Sequence, residues 1–202
     1  MTVPNIVPLR EENLSAAAEA LARAFHNDPL QAYVFPDPIE RAIRSPAHFA
    51  PILRYGLLFG EVLTTEGKPL GASVWIPPGE WELMPQRASE AGLNDLPEAI
   101  GEEAAGRFFS ALAAVEPYHR DIPPHWYLTV VGVSPEGRGQ GLGRALIQPI
   151  LDRAEAAGLP SYLETSQPDN VSFYERLGFE QVVDMVEPQS GLRFWTFRRD
   201  AP

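Results

Sequence analysis

Val131-Gly132-Val133-Ser134-Pro135-Glu136-Gly137-Arg138-Gly139-Gln140-Gly141-Leu142-Gly143 is the stretch from which the fold is read. Its first residues close a run of β-branched, aromatic and leucine side chains over Trp126–Val133, the pattern of a central strand. A turn follows in Ser134–Gly139. The segment Leu142–Ala157 then places Leu142, Ala145, Leu146, Ile150 and Ala154 on one side of a helix that ends at Gly158, with a kink expected at Pro149. In a strand–glycine turn–helix unit the free N–H groups of the first helical turn converge on one point and favour an anion there, phosphate above all. A dinucleotide fingerprint requires a glycine where Arg144 stands, so a nucleotide-dependent oxidoreductase is disfavoured. No P-loop lysine follows the glycines, and Gly132–Glu136 lacks the last glycine of a hydrolase elbow.

Outward from this unit, strands and helices alternate. Upstream, Val3–Arg10 reads as a strand and Glu11–His26 as a helix stopped by Asn27-Asp28-Pro29. A second helical region runs from about Ile39 to Leu58, with interruptions expected at Pro46 and Pro51. Glu61–Thr65 and Leu70–Ile76 read as strands, and Glu80–Ala114 as mostly helical with breaks at Pro85 and Pro97. Downstream come a short strand over Tyr162–Glu164, a helix over Asp169–Leu177, and a hairpin of Glu180–Val186 with Leu192–Arg198 whose edge strand offers pairing to a second copy. One mixed sheet flanked by helices, α/β or α+β, is the expected architecture, and 202 residues suit one domain, 1–202.

Composition narrows the function. The chain carries 27 acidic and 16 basic side chains and a net charge of -11, which disfavours general nucleic-acid binding. It has no cysteine, so disulfides, thiolate nucleophiles and an acetyl-cysteine intermediate are out. His26, His48, His119 and His125 lack metal-ligand spacing, so no metal is expected, and solvated or internally satisfied roles are expected for them. The opening MTVPNIVPLREEN lacks a basic region followed by an apolar run, and Tyr55–Leu63 is too short to span a bilayer and contains Glu61, so the expectation is a cytoplasmic protein without membrane contact.

Arg138-x-x-Gly141-x-Gly143, preceded by Val-x-Val-Ser-Pro, resembles the pyrophosphate-binding signature of the GNAT (Gcn5-related) N-acetyltransferases. Asn170-Val171-Ser172-Phe173-Tyr174-Glu175-Arg176-Leu177-Gly178-Phe179 resembles a second element of that family. Trp126–Pro135 and Leu163-Glu164-Thr165-Ser166 look like the puromycin N-acetyltransferase branch, over about Tyr118 to Arg199, with a fainter echo at Ala72–Pro78. The resemblance implies a GNAT fold: one mixed, mostly antiparallel sheet of about seven strands flanked by helices, with splayed central strands. It implies an acetyl-coenzyme A-binding core at about 118–199 and an acceptor-shaping part at about 1–117, in which Glu11–Leu58 matches little.

The activity implied is transfer of an acetyl group from acetyl-coenzyme A to the amine of a small molecule, an aminonucleoside such as puromycin among the candidates. Transfer would be direct within a ternary complex. Val131, Gly132 and Val133 would bond the pantetheine arm and the thioester oxygen through their backbone; Arg138, Gly139, Gln140, Gly141, Leu142 and Gly143 would cradle the pyrophosphate, with Arg144 close by. Tyr174 corresponds to the family's general acid and Phe173 to its core neighbour. Asn170 would bond the pantetheine arm or cap its helix. Glu164 is the candidate base, or a carboxylate that attracts the substrate cation, and a water relay to Tyr127 or Glu116 is an alternative. Tyr33, Phe35, Trp75, Trp81, Trp126 and Tyr127 are candidates for the acceptor pocket or for the core. A protein or peptide acetyltransferase of the same fold and a non-catalytic coenzyme A-binding module are the rival functions.

Overall fold

A computed structural model describes residues 4–120 and 122–201. The strands are β1 (Ile6–Pro8), β2 (Glu61–Thr65), β3 (Gly71–Ile76), β4 (Trp126–Val133), β5 (Ser161–Thr165), β6 (Glu180–Val186) and β7 (Arg193–Arg199); the α-helices are α1 (Leu14–Ala24), α2 (Pro29–Val34), α3 (Pro38–Phe59), α4 (Pro85–Ala91), α5 (Leu96–Ile100), α6 (Glu102–Val115), α7 (Leu142–Ala156) and α8 (Val171–Glu175). All seven strands form one sheet in the order β1-β2-β3-β4-β5-β7-β6. Every neighbouring pair is antiparallel except β4–β5. The expected mixed, mostly antiparallel sheet is what the chain forms. The last hairpin puts β6 at the edge, where Val182 and Val186 are exposed.

Proline positions differ from expectation. α3 runs unbroken through Pro46 and Pro51, where interruptions were expected, whereas α7 contains Pro149 within one helix over nearly the expected bounds. An interior proline costs a helix about 3 kcal/mol. In α3 that cost is offset by tertiary packing, because His48, Phe49, Ile52, Leu53 and Tyr55 are all buried. Asp37 also caps the helix, its Oδ1 accepting from Ile39 N–H at 2.8 Å and Glu40 N–H at 2.9 Å. Pro85 and Pro97, expected as breaks, stand in the first turns of α4 and α5, where the missing donor costs nothing.

The two faces of the sheet bury different partners. Val62, Val74, Ile76 and Val130 face α1 and α3, whereas Trp75, Leu128 and Leu163 face Leu146, Ile147, Ile150 and Leu151 of α7. α3 lies so close to the sheet that a Cβ on Gly56 would sit 2.6 Å from the side chains of Val62 and Val74.

β4 and β5 position the site. They pair in register only at Trp126–Ser161, Tyr127–Tyr162 and Leu128–Leu163, and beyond Leu128 no pairing continues. On its other side β4 stays bonded to β3, with a bulge that opposes Val130 to Val74 and Leu128 to Trp75 and leaves Thr129 as the extra residue. A bulge bends and twists its strand, and here it turns the second half of β4 away from β5. A wedge opens between Thr129–Val133 and Glu164–Ser166.

Candidate active site

A cavity of about 500 Å³ opens into this wedge. Leu128–Val131 of β4, Glu164–Ser166 at the end of β5, Asn170, Tyr174, and residues of α2, α3 and α6 line it. Of the sequence-derived site residues, Tyr127, Val131, Glu164, Asn170 and Tyr174 meet there, together with Trp81 and Glu116.

Glu164 is largely buried and paired. Its Oε1 lies 2.5 Å from His119 Nε2, a residue 45 positions earlier on the short 3-10 turn after α6. Trp81 stacks on the His119 ring at 4.7 Å, and Tyr127 and Tyr162 meet it edge-on at 4.5 Å each. This aromatic box excludes bulk water from the carboxylate and strengthens each charge–dipole contact within it. Burial first, and the Glu164 carboxylate second, hold the Tyr127 phenol well above its ordinary pKa. His119 takes the satisfied role expected of it, but its partner is 45 residues away, and no local spacing marks such a pair.

Tyr174 stands across the cavity on α8, 4% exposed. Its ring packs on Phe173, Phe179 and Phe197. Burial and then the Asp28 carboxylate raise its pKa above the usual phenol value, so it stays protonated at neutral pH. Asp28 was read only as a helix stop. It caps α2, accepting from Leu30 N–H at 2.9 Å and Gln31 N–H at 3.4 Å, and faces the cavity with Ser166 Oγ donating at 3.4 Å. Its own pKa is raised, chiefly by burial. Asn170 makes no side-chain cap bond to α8; its Nδ2 donates to Thr165 Oγ1 at 3.2 Å.

The glycine turn lies at the far end of β4, outside the cavity. Gly139 and Gly141 both have φ near +75°, and a Cβ on either would meet nothing within 4 Å. α7 makes its first intrahelical bond from Ala145 N–H to Gly141 C=O at 3.1 Å. The amides before it have no carbonyl within the helix to bond. The turn therefore presents an open backbone surface that fits a pyrophosphate. Arg138 and Arg144, expected to add charge there, are engaged elsewhere: Arg138 Nη2 donates to Ala24 C=O at 3.2 Å, and Arg144 Nε to Gln148 Oε1 at 3.4 Å. Gln140 Nε2 donates to Glu136 C=O. Leu142 is core, and Phe173 lies against Gly143, 3.4 Å from where its Cβ would be.

Four of the six aromatic pocket-or-core candidates lie apart from the cavity. Trap-like burial puts Trp75 on the α7 face, since strand alternation sends it opposite to Val74 and Ile76. Tyr33 packs instead near Leu192 and Phe194. Phe35 is core at 2% exposure, and Trp126 carries the Arg153 guanidinium over its ring.

Comparison with known proteins agrees with this layout. The profile of the Acetyltransferase (GNAT) family matches residues 66–179. An uncharacterized N-acetyltransferase of Schizosaccharomyces pombe is 32% identical over 175 residues, 81% of this chain and 69% of that one. A mycothiol acetyltransferase of Pseudarthrobacter chlorophenolicus is 40% identical over 68 residues, 32% of this chain and 21% of that one. Among solved structures, one described as histone acetyltransferase HPA2 and related acetyltransferase from Corynebacterium glutamicum superposes with a TM-score of 0.72 at 24% identity, over 100% of this chain and 98% of that one. With the parted β4–β5 pair, the open turn at the head of α7 and a profile match over more than half its length, the chain belongs to the GNAT acetyltransferase family.

Proposed function

We propose that the chain transfers an acetyl group from acetyl-coenzyme A to the primary amine of a small molecule, directly and without an acyl-enzyme. The observation that carries this reading is the buried Glu164–His119 pair facing Tyr174 across one cavity, at the point where β4 leaves β5. The backbone of Gly139–Gly143 would hold the pyrophosphate, and the free edge of β4 at Val131–Val133 the pantetheine arm. Acetyl-coenzyme A supplies a thioester acyl carbon when bound.

The residues then divide the proton work. Glu164 takes a proton from the incoming ammonium, directly or through a water, and His119 Nε2 holds the carboxylate in place. The free amine forms the N–C bond as the C–S bond breaks, and the sulfur ends as a thiol. Tyr174 faces the sulfur side. A phenol held above its ordinary pKa of about 10 would surrender its proton to a thiolate of pKa about 8.5 only uphill. Tyr174 therefore assists by donating a hydrogen bond to the charge growing on sulfur. The nitrogen gives up a second proton once the N–C bond has formed; that proton ends on sulfur, and the one Glu164 took from the ammonium passes to solvent.

Helices α3 and α6 and the Trp81 segment wall the cavity on the acceptor side. That shape supports a small molecule over a protein tail, and aminonucleosides such as puromycin belong in the same screen. A thiol-release assay over a panel of amines tests the reading. Turnover with a small amine that falls in Glu164→Gln while calorimetric donor binding persists is the expected result. Donor binding with no thiol release for any amine would leave a coenzyme A-binding module instead.

A further inference from the structure

The acceptor end of the cavity has a one-sided charge pattern. Its inner wall is apolar and aromatic: Phe25, Phe49, Ile52, Phe108, Phe109 and Leu112. Four acidic residues, Asp28, Glu82, Glu116 and Glu164, line it, and among the described residues no lysine or arginine does; Glu164 is held by His119, and Glu116 pairs with Arg120, which lies outside the lining.

This is not for want of cations on the helices that build the wall. α3 and α6 carry Arg41, Arg44, Arg54 and Arg107, and each is tied to main-chain carbonyls. Arg41 donates to Phe35 C=O at 2.8 Å and His26 C=O at 2.7 Å. Arg44 donates to Ile100 C=O at 2.9 Å, Arg54 to Ala91 C=O at 3.3 Å, and Arg107 to Val34 C=O at 3.0 and 2.8 Å. His48, on the same wall, adds no charge: burial pushes its imidazole down to about 3, so it is neutral at physiological pH.

We infer that the acceptor is an amine with an aromatic or aliphatic body and no anionic group, and that the wall rejects amino acids and other carboxylate- or phosphate-bearing amines. The inference rests on the acetyltransferase reading and deepens it by naming the substrate class. An acceptor ammonium gains from the acidic lining, and its body is buried against the aromatic wall. A carboxylate on the same body would be desolvated with no cation in the lining to meet it and the Glu164 carboxylate nearby.

The test compares phenethylamine, phenylalaninamide and phenylalanine. These share a ring and an amine, and the last two differ chiefly in charge at similar size. Spermidine serves as the polar polycation. Thiol release gives kcat/KM, and calorimetry on the protein saturated with coenzyme A gives acceptor affinity without chemistry. The expected result is that phenethylamine and phenylalaninamide exceed phenylalanine by about a hundredfold or more in both readouts, the size of effect left by an unpaired buried charge. Spermidine should trail both.

Phenylalanine within tenfold of phenylalaninamide, spermidine ahead of the aromatic amines, or no binding of either aromatic amine would overturn the inference. Either of the first two outcomes, read as thiol release, would do so while leaving the acetyltransferase reading intact. Selective binding without thiol release would do the reverse. Leu112→Arg adds a gain-of-function arm, since a cation on the wall should narrow the gap between phenylalanine and its amide.

Discussion

The two halves of this chain solve different problems by different means. From Trp126 to Phe179 the elements are local: β4, its glycine turn, α7, β5 and α8 follow one another and meet with few insertions. The acceptor cavity is assembled from distant pieces. Asp28 comes from the start of α2, His48 and Phe49 from the middle of α3, Phe108 and Leu112 from α6, His119 from the turn beyond, and Glu164 from β5. The local half carries backbone chemistry, amides and a strand edge, which depends on glycines at fixed spacing. The assembled half carries side-chain chemistry, which depends on which residues meet in space. Damage to the first should abolish donor binding; damage to the second should spare donor binding and change rate or acceptor choice.

Glu164→Gln should break the comparison most visibly. It removes the carboxylate that His119 holds, and loss of a positioned base lowers kcat by about 10²–10⁴-fold. Calorimetry should find coenzyme A binding unchanged, and a parallel loss of donor affinity would show that the two halves are not separable. Gly141→Val attacks the other half. It forces a β-branched residue into φ +76° at the head of α7, a conformation costing about 1–2 kcal/mol per L-residue. Coenzyme A affinity should fall tenfold or more while the far-ultraviolet dichroism stays native; undiminished affinity would remove the turn from the donor site.

Tyr174→Phe comes next. Its ring contacts with Phe173, Phe179 and Phe197 survive, so stability should change little. A hydrogen bond lost from the transition state should lower kcat about tenfold to a hundredfold, with the donor dissociation constant unchanged. A fully active variant would take the phenol out of the reaction.

His48 sharpens the contrast through stability. Its folded-state pKa is depressed from 6.5 to about 3, so its contribution is complete above about pH 6.5 and is lost as the pH falls toward 3. Between those values the unfolded chain binds a proton that the folded one refuses, and stability should drop by up to about 1.4 kcal/mol per pH unit from this group alone. Denaturant melts at pH 7 and pH 5 should show a smaller difference in His48→Phe than in the parent; an equal difference would place the acid sensitivity elsewhere.

Asp28→Asn is the mildest change. Asparagine still caps α2, and the raised folded-state pKa of Asp28 means that its ionised form opposes folding as the pH rises through that value. The variant should melt a few degrees higher at pH 7 and lose that advantage near pH 4. Equal melting temperatures at both would show that the burial carries no cost.

The halves also differ in how much the sequence discloses. Trp126–Val133 folds with the expected bounds, and the strand–turn–helix unit follows because its periodicities and glycines lie within thirty residues of each other. Two prolines misled: Pro46 and Pro51 sit inside one continuous helix because burial against neighbouring elements outweighs the local loss of a hydrogen bond. The aromatic character of Trp75 marks it for a core more than for a pocket, and the register of β3 against β4 places it in the core on the α7 side.

The amino-acid order alone determined the sheet-and-helix alternation, the turn that offers its amides, and the segment bearing Tyr174 and Glu164, since each depends on near neighbours along the chain. Only the tertiary structure decided that His119 holds Glu164, that Asp28 and Tyr174 line one cavity, and that four arginines turn their charges into main-chain carbonyls and leave the cavity wall without a cation. Those pairings join residues tens of positions apart, and their energies come from burial and distance, which exist only once the chain has packed.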